Sequence, residues 1–281
     1  MLKQRIITAL LLVGMLLWTL TAGRQWPFAA LTLLLMAAAA WEWGRLNQSG
    51  TPLALAFGAT VGAAGVLALQ SPLANQAPAA MWWSASALWA LFAVVALRSG
   101  PGLWPKLPRM ARWVLGVAAL FLAWLALVNA RVLGINFMLS MLCLVWMADV
   151  CAYFGGRAWG RRKLAPSISP GKSWEGVWAG VCGVWLLAVL WIALDGHFRF
   201  DSASLYTRLW QSWGWLGMAL ALGTLCGFSV VGDLVESLVK RAAGAKDSSR
   251  LLPGHGGVLD RVDALLPVLP VAMAMAMSAN A

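Results

Sequence analysis

The sequence predicts an all-α, polytopic membrane protein with about nine transmembrane helices and no sizeable soluble domain. Three observations carry this. Of its 281 residues, 61% are hydrophobic and 11% are charged. Soluble domains hold about 45–50% and about 25% respectively, so the apolar excess is too large for one water-facing globule and fits a chain covered by lipid. The apolar residues also fall into runs close to the roughly 20 residues that a spanning helix needs. Finally, Lys and Arg divide unequally between alternate connections, as topology signals do.

The runs in order are about 6–22, 26–43, 53–70, 79–97, 111–128, 134–154, 176–194, 214–232 and 264–281. The second and ninth are short or ragged. The first, within "MLKQRIITALLLVGMLLWTLTAG", begins like a secretory leader. Its run is long, "TAG" is a loose match to a cleavage site, and a second run follows at once, so a retained span is expected. With nine spans, the N-terminal tail and every even-numbered connection share one side. Only Arg24, Arg131, Arg199 and Arg208 of the 21 Lys and Arg fall on the other. The remaining 17 mark the cytoplasmic side. The 19 tryptophans agree with membrane interfaces. The net charge of +11 lies in short loops between apolar runs, so no nucleic-acid partner is expected. Cys143, Cys151, Cys182 and Cys226 form no CxxC pair and read as buried free thiols. The organisation divides into N-terminal helices over 1–130 and a C-terminal catalytic region over 131–281, with cytoplasmic loops 155–175 and 233–263.

The polar residues concentrate in those two loops. In "MADVCAYFGGRAWGRRKLAPSISPGKSWEGVWAG", Asp149 stands near the cytoplasmic end of a span, where an ionisable group is expensive and points to function. The alternative is a boundary acid paired with Arg157. Arg157, Arg161, Arg162, Lys163 and Lys172 follow, with Ser167, Ser169 and Ser173 as hydroxyl donors. This suits phosphates or anionic headgroups, and a purely topological positive patch is the rival. "SPGKS" lacks the first glycine of a nucleotide P-loop, where Pro166 stands, and has no soluble α/β sheet around it. Lys172 and Ser173 beside a helix start can still hold phosphate.

The second loop is richer. A helix after Gly232 puts Asp233, Glu236, Ser237, Lys240 and Arg241 on one face. Gly244 is placed to end it. "LPGHGG" excludes regular helix, and "VLDRVDALL" restarts it with Asp260 and Asp263 on one face. Few carboxylates with many cations is the donor set for Mg²⁺ and phosphate. His255 lies among Gly254, Gly256 and Gly257, which let backbone approach a ligand closely. The alternative for the whole segment is a solvated connector with capping charges. His197, the other histidine, falls on the opposite side, so no nucleophile–base–acid triad is visible. The absence of HExxH disfavours an intramembrane zinc protease.

The run "SLVKRAAGAKDSSRLLPGHGGVLDRVD" resembles the signature of the phosphatidate cytidylyltransferases, or CDP-diacylglycerol synthases. The matching positions are Ser237, Lys240, Arg241, Lys246, Asp247, Pro253, His255, Gly256, Gly257, Asp260, Arg261 and Asp263. "GDLVES", "AYFGGR", "KLAPSISPGKSWEG" and Asp149 agree, although Val150 stands where the family often has Thr. The motifs cover about the last half of the chain. The resemblance implies an enzyme of bacterial inner membranes that joins CTP and phosphatidic acid into CDP-diacylglycerol and pyrophosphate. It implies Mg²⁺, with a second, monovalent cation nearby. The metal-binding acids would be Asp233 and Asp260, supported by Asp263 and Asp149. Lys240, Arg261 and His255 complete the expected catalytic set. Lys172, Ser173, Ser237, Arg241, Lys246, Gly256 and Gly257 are the expected substrate contacts. Membrane lipids are expected partners, and a homodimer is an open expectation. Three rivals remain: a CTP-dependent polyprenol or phytol kinase of the same superfamily, a transporter, and a non-catalytic scaffold.

Overall fold

The computed structural model describes residues 2–279. Residues 280–281, the end of the ninth expected span, lie outside the described residues, as do the side chains of Lys3 and Arg5. Long apolar runs can satisfy their backbone groups inside a bilayer only as helices, and helices form at each. They are α1 (Leu2–Thr21), α2 (Trp26–Leu46), α3 (Thr51–Leu69), α4 (Ala79–Ser99), α5 (Arg109–Leu133), α6 (Ile135–Trp159), α7 (Trp174–His197), α8 (Leu205–Ala242), the single turn α9 (Leu259–Val262) and α10 (Leu265–Ser278). Beyond α1, eight stretches are long and apolar enough to cross a membrane, with α9 and α10 counted as one. The chain is therefore a multi-pass membrane protein. Pro27 and Pro52 sit in the first turns of α2 and α3, where a missing N–H costs nothing.

Two spans differ from expectation in ways that matter for function. The eighth, expected over 214–232, is part of the 38-residue α8, which breaks at Gly214 (φ 66°). Its 28 residues beyond that break are about 42 Å long at 1.5 Å per residue, against roughly 30 Å of hydrocarbon. The last turns therefore leave the apolar layer, and they carry Asp233 to Arg241. The helix ends as the sequence predicts, at Gly244 (φ 68°), where Ala245 N–H donates to the Lys240 carbonyl at 2.8 Å. The ninth span starts five residues early, at Leu259, and is broken around Asp263 and Ala264.

The last helix is also the most enclosed. Val268, Leu269, Ala272, Met273, Ala274 and Ala276 are buried, and α10 packs on α4, α5, α6 and α8. By contrast α7 shows an outward apolar face with Trp178, Leu186 and Leu190. Cys182 lies exposed on this helix, Cys143 and Cys151 are half-buried and only Cys226 is buried, so the expectation of four buried thiols is corrected at three of them. All four are free.

Hydrogen bonds sort the connections into two ends, as nine alternating spans require. Trp104 Nε1 donates to Asn47 Oδ1 at 2.8 Å, joining the α2–α3 and α4–α5 connections. At the other end Asn129 Nδ2 donates to the Leu73 carbonyl at 2.8 Å and the Ile135 N–H to Asp201 Oδ2 at 2.5 Å. The loop after α6 folds as a hairpin, β1 (Lys163–Ala165) antiparallel to β2 (Ser169–Ser173). "SPGKS" is thus a strand, not a phosphate loop, and it runs directly into α7.

Candidate active site

The site forms where α8, the start of α9 and the β2 strand converge. Three cation–acid contacts define it. Lys172 Nζ, from β2, lies 2.6 Å from Asp233 Oδ2 on α8. Lys240 Nζ lies 2.7 Å from Asp260 Oδ1 and also pairs with Glu236, one helical turn back. Ser237 Oγ donates to Asp233 Oδ1 at 3.2 Å. Four of the five residues expected on one face of α8, Asp233, Glu236, Ser237 and Lys240, therefore meet, whereas Arg241 is exposed and reaches the Ala245 carbonyl.

Asp260 is the most heavily held of these acids. It accepts from Ser248 N–H at 3.0 Å, Ser248 Oγ at 3.0 Å and Gly257 N–H at 2.8 Å, besides Lys240. Its loop therefore wraps around it. Gly256 (φ 84°) fits this wrap, since a Cβ there would meet Asp260 Oδ2 at 2.7 Å. A Cβ on Gly257 would meet Glu42 Oε1 at 2.5 Å. Asp263 comes beside Asp233 because the two helices touch at Gly232, where a Cβ would lie 2.9 Å from Ala264 Cα. Asp263 is in electrostatic range of Asp233, Lys240 and Lys172, and Asp149 of Lys172 and Asp233. Arg157, the alternative partner of Asp149, instead donates to the Tyr153 hydroxyl at 3.4 Å.

The structure thus joins Asp149, Lys172, Asp233, Ser237, Lys240, Asp260 and Asp263 into one cluster. It sets others apart. Arg241 and Lys246 are exposed at its rim. Arg261 is exposed and its guanidinium grips the His255 carbonyl, at 2.5 Å from one terminal nitrogen. Ser173 is buried, and its hydroxyl accepts from Gly176 N–H at 3.2 Å as the N-cap of α7. His255 Nδ1 is buried without a hydrogen-bond partner, while His197 sits at the far end.

Two residues escaped the sequence reading of the site. Glu236, noted only as part of a helical face, is 2% exposed and completes the acid cluster. Glu42, on α2, was not singled out at all. It is 0% exposed and accepts hydrogen bonds from Ser248, Ser249, Val258 and Leu259. The signal was available, because an acid inside an apolar run, "AAWEWG", is a functional candidate wherever it stands.

Five carboxylates, from Asp149, Asp233, Glu236, Asp260 and Asp263, face two ammonium groups. This donor set favours an added cation. No group of three metal-ligating side chains closes on one point among the described residues. One or two carboxylates per ion, completed by water and substrate phosphate, is how Mg²⁺ is usually held, so the residues fit that ion. An apolar cavity of about 90 Å³ lies behind the acids, lined by Trp89, Phe92, Leu115, Gly232 and Glu236 among others. A second, of about 290 Å³, shares Leu88, Phe92 and Leu115 with it and runs between α4, α5 and α8.

Residues 3–279 match the model of the cytidylyltransferase family. The chain belongs to this family. A protein of Pseudomonas aeruginosa named phosphatidate cytidylyltransferase is 40% identical over 289 residues, covering 100% of this chain and 98% of that protein. One of the same name from Haemophilus influenzae is 33% identical, covering 96% of each. Another from Brucella suis is 36% identical over 94% of this chain and 89% of that protein. The match to the cytidylyltransferase family takes in the first 130 residues as well as the motif-bearing half. That agrees with Glu42 of α2 reaching the site.

Proposed function

We propose that the chain transfers the cytidylyl group of CTP to phosphatidic acid, giving CDP-diacylglycerol and pyrophosphate, at the cytoplasmic face of a bacterial inner membrane. The observation that carries this is the acid-rich cluster on α8 and α9, bridged by Lys172 and Lys240, with Arg241 and Lys246 exposed beside it. The relatives' shared name favours the transferase over the kinase of the same superfamily. The lack of an internal repeat disfavours a transporter.

Both substrates are strongly anionic. A phosphate oxygen of the lipid forms a bond to the α-phosphorus of CTP, and the bond from that phosphorus to the bridging oxygen breaks. Pyrophosphate leaves with the electron pair. No protein nucleophile is needed, so catalysis rests on alignment and charge neutralisation. Asp233 and Asp260 would hold Mg²⁺, with Asp263 and Asp149 in support. When bound, the ion would neutralise phosphate charge, and a second, monovalent cation belongs to the same reading. Each lysine ammonium has three donors. Lys172 and Lys240 can therefore stay on their carboxylates and still meet phosphate oxygens. Lys246 and Arg241 extend this positive rim toward the triphosphate, and Ser237 orients Asp233. The apolar cavities between α4, α5 and α8 would take an acyl chain while the headgroup meets the acids at the layer boundary.

The test uses the purified full chain with Mg²⁺, phosphatidic acid and CTP labelled at the α-phosphate. Label recovered in lipid supports the transferase. Label left in CDP supports the kinase, and vesicle uptake without CTP consumption would support a transporter.

A further inference from the structure

Glu42 has no ion-pair partner among the described residues. A buried carboxylate in that position is tolerated only if its oxygens are filled by donors. Both are. Oε1 accepts from Ser249 Oγ at 2.5 Å and Val258 N–H at 3.0 Å. Oε2 accepts from Ser248 Oγ at 3.1 Å and Leu259 N–H at 2.7 Å. All four donors lie more than 200 positions away in the chain, in the loop that wraps Asp260. Two of them, the Val258 and Leu259 N–H groups, are the free amides at the start of the last span, where a negative charge is favoured. The other two are loop hydroxyls.

Ser248 links this clamp to the chemistry. Its N–H donates to Asp260 at 3.0 Å, and its single hydroxyl proton lies between Asp260 Oδ2, at 3.0 Å, and Glu42 Oε2, so the two carboxylates share it. Glu42 therefore grips both ends of the segment 248–259, and Ser248 and Gly257 of that segment hold the adjoining Asp260. Gly257 is packed against the same carboxylate, which leaves no room for a side chain there.

We propose that Glu42 is a positioning residue for the transfer: from α2 it fixes the loop 248–259 in the shape that presents Asp260 and the 253–257 turn to the nucleotide. This rests on the cytidylyl-transfer reading of the site. Glu42 touches no reacting atom. Its role is to make an otherwise glycine-rich loop rigid before CTP arrives, so that less ordering is left for binding to accomplish.

A purely architectural Glu42 would hold the start of the last span and leave the kinetics of folded molecules alone. Glu42→Gln separates the two. Either orientation of the amide turns an N–H₂ group toward one backbone N–H, either Val258 or Leu259, so one grip is lost at nearly constant volume. The full-length protein in detergent is compared with wild type by amide hydrogen exchange and by steady-state kinetics per folded molecule. Exchange in a peptide covering 246–259 is expected to speed up while α10, over 265–278, stays protected. The KM for CTP is expected to rise about tenfold, within the range for residues that orient the groups touching a metal or substrate. Ser249→Ala removes one hydroxyl grip and should do the same about two- to fivefold, as the loss of one hydrogen bond of about 0.5–1 kcal/mol.

The proposal is overturned if Glu42→Gln keeps wild-type exchange in 246–259, or keeps the wild-type KM for CTP despite faster exchange. Faster exchange spread equally over α10 with unchanged kinetics would also sink it. If Glu42→Gln does not fold, Ser249→Ala decides by the same two readings. If wild type itself makes no CDP-diacylglycerol, it is the cytidylyl-transfer reading that fails. The exchange comparison then decides the clamp alone.

Discussion

The two ends of the helix bundle both gather acids at helix termini, and they use them in opposite ways. At the far end Asp195 accepts from Asn136 Nδ2 at 2.9 Å, Ser204 N–H at 2.9 Å and Thr207 Oγ1 at 2.5 Å. Asp201 accepts the Ile135 N–H at 2.5 Å and the Asn136 N–H at 3.0 Å, at the start of α6. These acids are filled by neutral donors, and they hold chain segments together. At the site end, Asp233, Glu236 and Asp260 take lysine ammoniums, and acids outnumber those cations by five to two. One end is balanced by its own hydrogen bonds, and the other is left with charge for a ligand to balance. Glu42 belongs by position to the site end and by chemistry to the far end, which is why it reads as a clamp.

The sharpest way to break this contrast is Lys240→Met. Lys240 pairs with two acids that are 3% and 8% exposed at their side chains. Removing it leaves two buried carboxylates facing each other, and breaking a buried pair costs about 3–5 kcal/mol. A loss of that size in detergent thermal unfolding, together with lost product, is the expected outcome. Unchanged stability would mean that the acids at this end are as self-sufficient as those at the far end.

Asp260→Asn comes next and separates charge from shape. The amide keeps the size of the side chain and one acceptor oxygen. Product formation should fall about 10²–10³-fold, the scale of one lost electrostatic contact to a transition state, with a much smaller loss of stability. Asp233→Asn should behave alike. A variant that keeps its activity would remove the acid cluster from the reaction.

The far end should answer in the other currency. Asp195→Ala removes the acceptor of the Ser204 N–H and the Thr207 hydroxyl at the start of α8, and the partner of Asn136. The expected cost is about 1–2 kcal/mol of stability, with the KM for CTP unchanged in molecules that remain folded. A change in that KM would show that the two ends are coupled through α8.

How legible all this was differs by region for physical reasons. Spans were readable because the bilayer imposes length and composition on each helix. The register of α8 was readable from 3.6-residue periodicity, which put Asp233, Glu236, Ser237, Lys240 and Arg241 on one face; Arg241, at its edge, is exposed instead. The length of α8 was not readable, since its last turns are amphipathic where the apolar run stops. The site's outer parts depended on tertiary contact. Nothing local in "SPGKS" says that Lys172 will meet Asp233, 61 positions later. Nothing in the second span says what its single acid, Glu42, will accept. That an acid stands there at all was visible; its partners were not.

The smallest expected effect tests the boundary between the two kinds of polar residue. Sequence alone makes Ser173 a candidate phosphate contact, one residue from Lys172 at a helix start. In the fold its hydroxyl is turned inward and accepts the Gly176 N–H at 3.2 Å, as the first cap of α7. Capping and phosphate contact compete for the same oxygen, because a buried hydroxyl that accepts from N–H has little freedom to reach outward. Ser173→Ala should therefore lose about 1 kcal/mol of stability, the usual worth of an N-cap, and leave the KM for CTP where it was. Ser173→Asp should recover the stability, since Asp caps as well as Ser, and its charge suits a helix start. If instead the alanine variant needs several-fold more CTP at full stability, Ser173 belongs with Lys172 among the groups that meet substrate.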